Sequence, residues 1–128
     1  MIDNRLEVVA KVYNAFAAGD GAALGALLGE TEWHEAAGMP YGGTYRGLGE
    51  IAAHVFGPIG EDIEGFTAIA DELIEAGDDQ VLAIGHYRGT GKGGVLDVRF
   101  AHLWTVDGER IGRFDQFTDT HLFRAALA

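Results

Sequence analysis

Leu96-Asp97-Val98-Arg99-Phe100-Ala101-His102-Leu103-Trp104-Thr105-Val106 is the stretch that decides the fold. Its even positions are Leu96, Val98, Phe100, His102, Trp104 and Val106; its odd positions are Asp97, Arg99, Ala101, Leu103 and Thr105. Side chains two apart share one face of a strand, so this alternation describes a β-strand with its even face buried. His102 then lies between two aromatics on an apolar surface, where loss of water lowers its pKa and favours the neutral ring.

Three neighbouring segments share the strand character. Ile63–Glu75, Gln80–Gly89 and Arg110–Thr118 flank Val95–Val106, with turn signals at Gly77-Asp78-Asp79, Gly91-Lys92-Gly93-Gly94 and Asp107-Gly108. Connections this short imply an antiparallel meander. A two-residue Asp107-Gly108 turn would place Gln116 on the opposite face from His102. A three-residue turn, Asp107-Gly108-Glu109, pairs Val106 with Arg110, brings Phe114 opposite His102 and sets Gln116 opposite Phe100 on the His102 face. The second register is favoured because it also turns Arg113 and Asp115 outward.

Upstream the period is helical. Asp3 is placed to cap a first helix carrying Leu6, Val9, Val12, Tyr13, Phe16 and Ala17, which Gly19 ends. Asp20 caps a second, with Ala23, Leu24, Leu27 and Leu28 on its apolar face and Gly29 as its stop. Glu32–Ala37 is a short strand running into Gly38–Gly47, a loop that Pro40 and its glycines keep irregular. A third helix is expected from about Leu48 to Phe56, ended by Gly57-Pro58, and Asp119 caps a last helical turn with Leu122, Phe123 and Leu127. Helices first and long strands after is an α+β pattern: one domain over residues 1–128, with a curved, mostly antiparallel sheet wrapped around N-terminal helices as a cone.

Composition narrows the partners. Twenty Asp and Glu against nine Lys and Arg give a net charge of −11, a field that disfavours nucleic acid and anionic membrane surfaces. There is no cysteine, which removes thiolate chemistry and suits a reducing compartment. No serine nucleophile exists, and five scattered histidines show no ligand spacing, so neither a metal nor another cofactor is expected. The opening residues show no leader pattern and no apolar run suggests a membrane span, so a cytoplasmic protein is expected.

The candidate chemistry lies on the inner face. If Trp33 points inward, Glu35 does too, and a carboxylate in an apolar cavity is a general base near neutral pH. The alternative sets Glu35 at the mouth, solvated or paired with Arg46. Tyr13 lies on the inner stripe of the first helix, and Tyr41 and Tyr45 on the loop; each can donate a hydrogen bond to a carbonyl or enolate oxygen. Trp33, Phe56, Trp104 and Phe114 decide how full the cone is; with Tyr45, Phe100 and Gln116 they are the expected ligand contacts.

Ala18-Gly19-Asp20, Trp33, Gly38, Tyr45-Arg46-Gly47, His86-Tyr87-Arg88-Gly89, Phe100–Thr105 and Phe114–Thr120, taken in order, resemble SnoaL-like proteins of the nuclear-transport-factor-like superfamily. That superfamily includes ketosteroid isomerase, limonene-epoxide hydrolase and polyketide cyclases, and the resemblance implies a cystatin-like roll around a small-molecule pocket. By position the cyclases' cavity histidine falls on His102 and their acid/base aspartate on Gln116, which transfers no proton. The epoxide hydrolases' strand Arg and Asp fall near Ala83 and Gly85. Against ketosteroid isomerase, His102 stands at the oxyanion-stabilising aspartate, with Glu35 and Tyr13 each within one residue of the base and the helix tyrosine. The implied activity is proton transfer on a small hydrophobic carbonyl compound, with Glu35, His102 and Tyr13 catalytic and no cofactor. The alternative is a non-catalytic pocket for an apolar metabolite. A homodimer is expected too, because Ala101, Leu103 and Ile111 would otherwise leave an apolar strip on the outer face.

Overall fold

A computed structural model describes residues 3–128. Helix α1 (Arg5–Ala18) buries Val8, Val9, Val12, Tyr13 and Ala15. Asp3 accepts the Arg5 N–H at 3.1 Å, and Gly19 closes the helix in the left-handed conformation, φ 63°. Asp20 caps α2 (Gly21–Leu28) through the Ala23 N–H at 3.0 Å. Six strands form one curved sheet, β1 (Glu32–Glu35), β2 (Gly43–Arg46), β3 (Glu64–Ala76), β4 (Gln80–Gly91), β5 (Gly94–Asp107) and β6 (Arg110–Thr118), in the spatial order β2-β1-β6-β5-β4-β3. β3 to β6 are the expected antiparallel meander; β1 joins it parallel to β6. The fold is α+β, with the helices against the concave face of an unclosed sheet.

Four local readings are corrected. The Gly38–Gly47 loop contains a strand: after a tight turn, with Met39 N–H on Ala36 O and Gly42 N–H on Met39 O, the chain returns antiparallel as β2 and pairs Trp33 with Tyr45. The glycines make the turn and so permit the strand instead of forbidding it.

Gly57-Pro58 does not end the third helix. α3 (Gly47–Ile51) widens into a π-turn over Ala52–Phe56, where the Gly57 N–H reaches Ala52 O, and continues as α4 (Gly57–Asp62). A proline ring clashes with the carbonyl four residues back in a regular helix, and the wider turn accommodates it. The last helix, α5 (Thr120–Leu127), is also longer than one turn, capped by Asp119 through the Leu122 N–H at 3.0 Å.

The β5–β6 register follows neither expected turn. Asp107 pairs with Arg110 and Val106 with Ile111, then the register slips so that Thr105 pairs with Arg113 and Trp104 with Phe114. Gly112 is the extra residue of a bulge. Phe114 therefore stands opposite Trp104 and Gln116 directly opposite His102, not opposite Phe100. The bulge also turns Ile111 inward, where it is 1% exposed, so Ile111 does not belong to an outer apolar strip. Ala101 and Leu103 stay half-buried on the outer face.

Candidate functional site

The inner face of the sheet has an aromatic end and a polar end. Trp33 stacks on Phe114 at 3.7 Å between ring centroids and meets Trp104 at 5.9 Å and Phe56 at 5.4 Å; these four rings fill the first end. Phe100 stacks on His102 at 3.7 Å and marks the start of the second.

His102 is 4% exposed and both its ring nitrogens are occupied. Nδ1 lies 2.6 Å from the Tyr13 hydroxyl and Nε2 2.6 Å from the Tyr87 hydroxyl. Trp104 Nε1–H donates to the Tyr13 oxygen at 2.9 Å. Gln116 Nε2–H donates to the Tyr87 oxygen at 2.8 Å while its Oε1 accepts the Ala36 N–H at 3.0 Å. A main-chain N–H only donates, so that last bond fixes which way round the Gln116 amide sits. The chain Trp104–Tyr13–His102–Tyr87–Gln116 thus joins α1 to β4, β5 and β6. Burial pushes His102 well below its ordinary pKa, so the ring is neutral, and it pushes the Tyr13 and Tyr87 hydroxyls up. Any direct bond from His102 to a ligand would have to displace one of the two tyrosines.

Glu35 shares the inner side of β1 with Trp33 and is 5% exposed. Trp33 Nε1–H donates to Oε1 at 3.0 Å; the buried Oε2 has no hydrogen-bond partner. Burial raises the carboxyl from 4.5 to about 7, against weaker pulls downward from the Trp33 indole and the Gln116 amide. Burial raises Tyr87 and Tyr41, with the Glu35 charge adding to the first and Asp62, then Glu35, to the second. The polar end is thus a neutral histidine between two tyrosines, with a buried carboxyl nearby that is half-ionised near neutrality.

Among the comparisons with known proteins, the family model described as the SnoaL-like domain matches residues 9–114. The chain belongs to that family. An uncharacterised protein of Mycobacterium tuberculosis is 32% identical over 117 residues, covering 90% of this chain and 88% of the relative. An NTF2-like protein of Burkholderia thailandensis superposes with a TM-score of 0.88 at 41% identity over 98% of both chains. TerC, crystallised with polyporic acid, superposes with a TM-score of 0.85 at 25% identity, covering 97% of this chain and 98% of TerC.

Not every expected site residue of this SnoaL-like domain joins the polar end. The Tyr45 hydroxyl is held by the carbonyls of Tyr41 and Gly42, and its ring stacks on His54 at 5.2 Å. Phe56 packs on Trp33 and Phe16. Tyr87 carries a position in the network that the sequence reading did not assign. The signal was present on β4, where Val81, Ala83 and Tyr87 alternate inward as the β5 residues do.

The loop from Ala36 to Gly42 closes over this region. Met39 and Tyr41 are buried; the Tyr41 hydroxyl donates to Asp62 at 2.7 Å, and Arg124 donates to Gly38 O at 2.6 Å. Two open depressions, of about 620 and about 460 Å³, lie elsewhere, and neither is lined by the network residues. Among the described residues no group of three or more His, Asp or Glu side chains is placed to hold a metal, and no helix is long and apolar enough to cross a membrane.

Proposed function

We propose that this SnoaL-like domain is an acid–base enzyme acting on a small hydrophobic carbonyl compound, with Glu35 as the proton-transferring group. The observation that carries the reading is the Glu35 carboxyl itself: buried, raised to about 7, and with one oxygen that nothing in the protein satisfies. A base works best with a pKa near the working pH, and a carboxyl reaches that range only where water is excluded. The carboxylate takes a proton from the carbon next to the carbonyl. The C–H pair becomes the C=C bond of an enolate, and the carbonyl π pair moves onto oxygen. Return of the proton from Glu35 to the same or a conjugated carbon restores the ketone, so the step needs no oxidant.

TerC's co-crystallisation with polyporic acid supports a small organic molecule as the occupant. In this reading a ligand enters as the Ala36–Gly42 loop gives way, which breaks its side-chain ties from Gln116 to Ala36, Tyr41 to Asp62, Tyr45 to Tyr41 and Gly42, and Arg124 to Gly38. A non-catalytic binder is the second reading. It is favoured by Gln116, which cannot transfer a proton and whose amide is committed to Ala36 and Tyr87.

The test is deuterium incorporation from D₂O into a panel of cyclic ketones, cyclohexanone among them, followed by proton NMR. The wild-type protein should accelerate exchange and Glu35→Gln should lose about 10²-fold or more of that rate with its fold unchanged. Equal rates would remove Glu35 from the chemistry, while saturable binding without exchange would favour the second reading.

A further inference from the structure

Counting hydrogens along the Tyr13–His102–Tyr87 trio shows that it carries one more than it uses. Tyr13, neutral His102 and Tyr87 bring three polar hydrogens between them, one each. Only two hydrogen bonds join them, Tyr13 to Nδ1 and Tyr87 to Nε2. Both tyrosine oxygens already accept a bond from outside the trio, from Trp104 Nε1–H and from Gln116 Nε2–H, neither of which can be reversed. One hydroxyl hydrogen is therefore spare. If His102 carries its hydrogen on Nδ1, the spare belongs to Tyr13. If it carries it on Nε2, the spare belongs to Tyr87.

The surroundings of the two hydroxyls differ. Tyr13 meets Phe100 and Phe16 with its ring and the Trp104 indole with its oxygen. Tyr87 lies within the field of Glu35, whose Oε2 is a buried acceptor left without a partner, and Gln116 bonds Tyr87 while it lowers the Glu35 carboxyl. With the spare hydrogen on Tyr87, a donor without an acceptor and an acceptor without a donor stand in one region, with no hydrogen bond between them. A negative or hydrogen-bond-accepting carboxyl favours the arrangement that directs the spare hydrogen to its own side.

We propose that His102 holds its hydrogen on Nε2, and that Tyr87 thereby presents the free hydroxyl hydrogen that binds a ligand's oxygen, with Gln116 and His102 fixing the Tyr87 oxygen from behind. His102 is then a positioning residue and does not itself touch the ligand. The ligand class follows from the pair of groups. It carries an oxygen acceptor for Tyr87 and, one or two atoms away, a proton that Glu35 can take or bind: an enolisable carbonyl compound or its enol. This assignment rests on the proposed role of Glu35 only for the second half of that description; the hydrogen count stands without it.

The deciding measurement uses the unliganded wild-type protein labelled with ¹⁵N at histidine. Two-bond ¹H–¹⁵N correlations distinguish a protonated from a bare ring nitrogen, and His102 is identified as the ring whose Nδ1 resonance alone moves in Tyr13→Phe. The expected result is a bare Nδ1 and a protonated Nε2 at neutral pH, retained in Tyr13→Phe. A hydrogen on Nδ1, or on both nitrogens, would overturn the assignment. A second readout is exchange of cyclohexanone in D₂O, where Tyr87→Phe should lower kcat about 10²-fold with a smaller change in KM. Exchange that depends on Glu35 but not on Tyr87 would overturn the Tyr87 role and leave the Glu35 reading intact. Should the wild type exchange nothing, the function reading falls, and the tautomer still decides the Tyr87 assignment.

Discussion

Replacing Glu35 by Gln should change how stability depends on pH. The carboxyl is raised in the folded protein from 4.5 to about 7. Between those values the folded chain holds a proton that the unfolded chain has released, so stability falls as pH rises. The effect is absent below about 4.5, accumulates up to about 7 and is constant above. A difference of about 2.5 in pKa, at about 1.4 kcal/mol each, makes the charged form about 3 kcal/mol costlier to bury than the neutral one. Gln is isosteric and uncharged, and its carbonyl oxygen can keep the bond from the Trp33 indole.

The quantity to measure is the difference in unfolding free energy between wild type and Glu35→Gln, from urea titrations at pH values from 4 to 9. Every other titrating group contributes equally to both proteins and cancels. Relative to its value at pH 4, the difference should favour the variant by about 3 kcal/mol at pH 8. For a chain of 128 residues that corresponds to roughly 10 °C in Tm. Any fixed offset, such as an unpartnered amide hydrogen on the new Gln, moves the whole curve without changing its shape. Curves that run parallel from pH 4 to 9 would show that Glu35 is not a buried carboxyl with a raised pKa, and the functional proposal would fall with it.

Trp33→Phe removes the donor to Glu35 Oε1, so the Glu35 titration, followed by side-chain ¹³C NMR, should move above 7; a downward move would contradict the hydrogen bond's assigned sign. If exchange is found, its kcat/KM should rise with pH through about 7 as Glu35 ionises, and a rate that falls over that range would exclude a carboxylate base. Gly85→Ala would set a Cβ against the Ile69 carbonyl oxygen and 2.7 Å from the Phe100 ring, so it should destabilise by about 3 kcal/mol or more in urea unfolding. We also propose that the outer face, where Ile74–Leu82–Leu103 and Ile84–Ala101–Phe117 align across the strands, buries itself against a second copy. Phe117, 57% exposed, is the place to test it: light scattering should read a dimer for wild type and a monomer for Phe117→Glu, and a monomeric wild type would sink the idea.

What could be read from the sequence depended on whether a feature is local. The β5 alternation is local: every second side chain from Leu96 to Trp104 is buried, because a strand has period two and this sheet buries one face. Caps at Asp20 and Asp119 are local as well. The register of β6 is not. It depends on a bulge at Gly112 that turns Ile111 and Phe114, three residues apart, to the same side, and either turn at Asp107-Gly108 fits the pattern without it. The direction of Glu35 became settled only when β1 paired with both β2 and β6 and its Trp33 side met the Phe114 ring. Tyr87 joins the network by facing His102 and Gln116 across two strands, and Gly85, which has no side chain, leaves room for the Phe100 ring that packs on it. That is a relation between two strands, beyond any one segment's pattern.

The polar end of the cone separates structural from chemical demand. Trp104, Tyr13, His102, Tyr87 and Gln116 give each other partners, and by linking α1 to three strands they serve the fold as well as any site. Their burial alone therefore argues for no activity. Glu35 differs. Its charged form is penalised at the pH where the other groups are at rest, and one of its oxygens is satisfied by nothing. A leucine or a glutamine there would remove that penalty. Glu35 keeps one oxygen for the Trp33 indole and leaves the other beside a network with a hydroxyl hydrogen to spare, and the proposed site for an enolisable carbonyl needs that pairing: a base on one side of the reacting carbon and a donor at its oxygen.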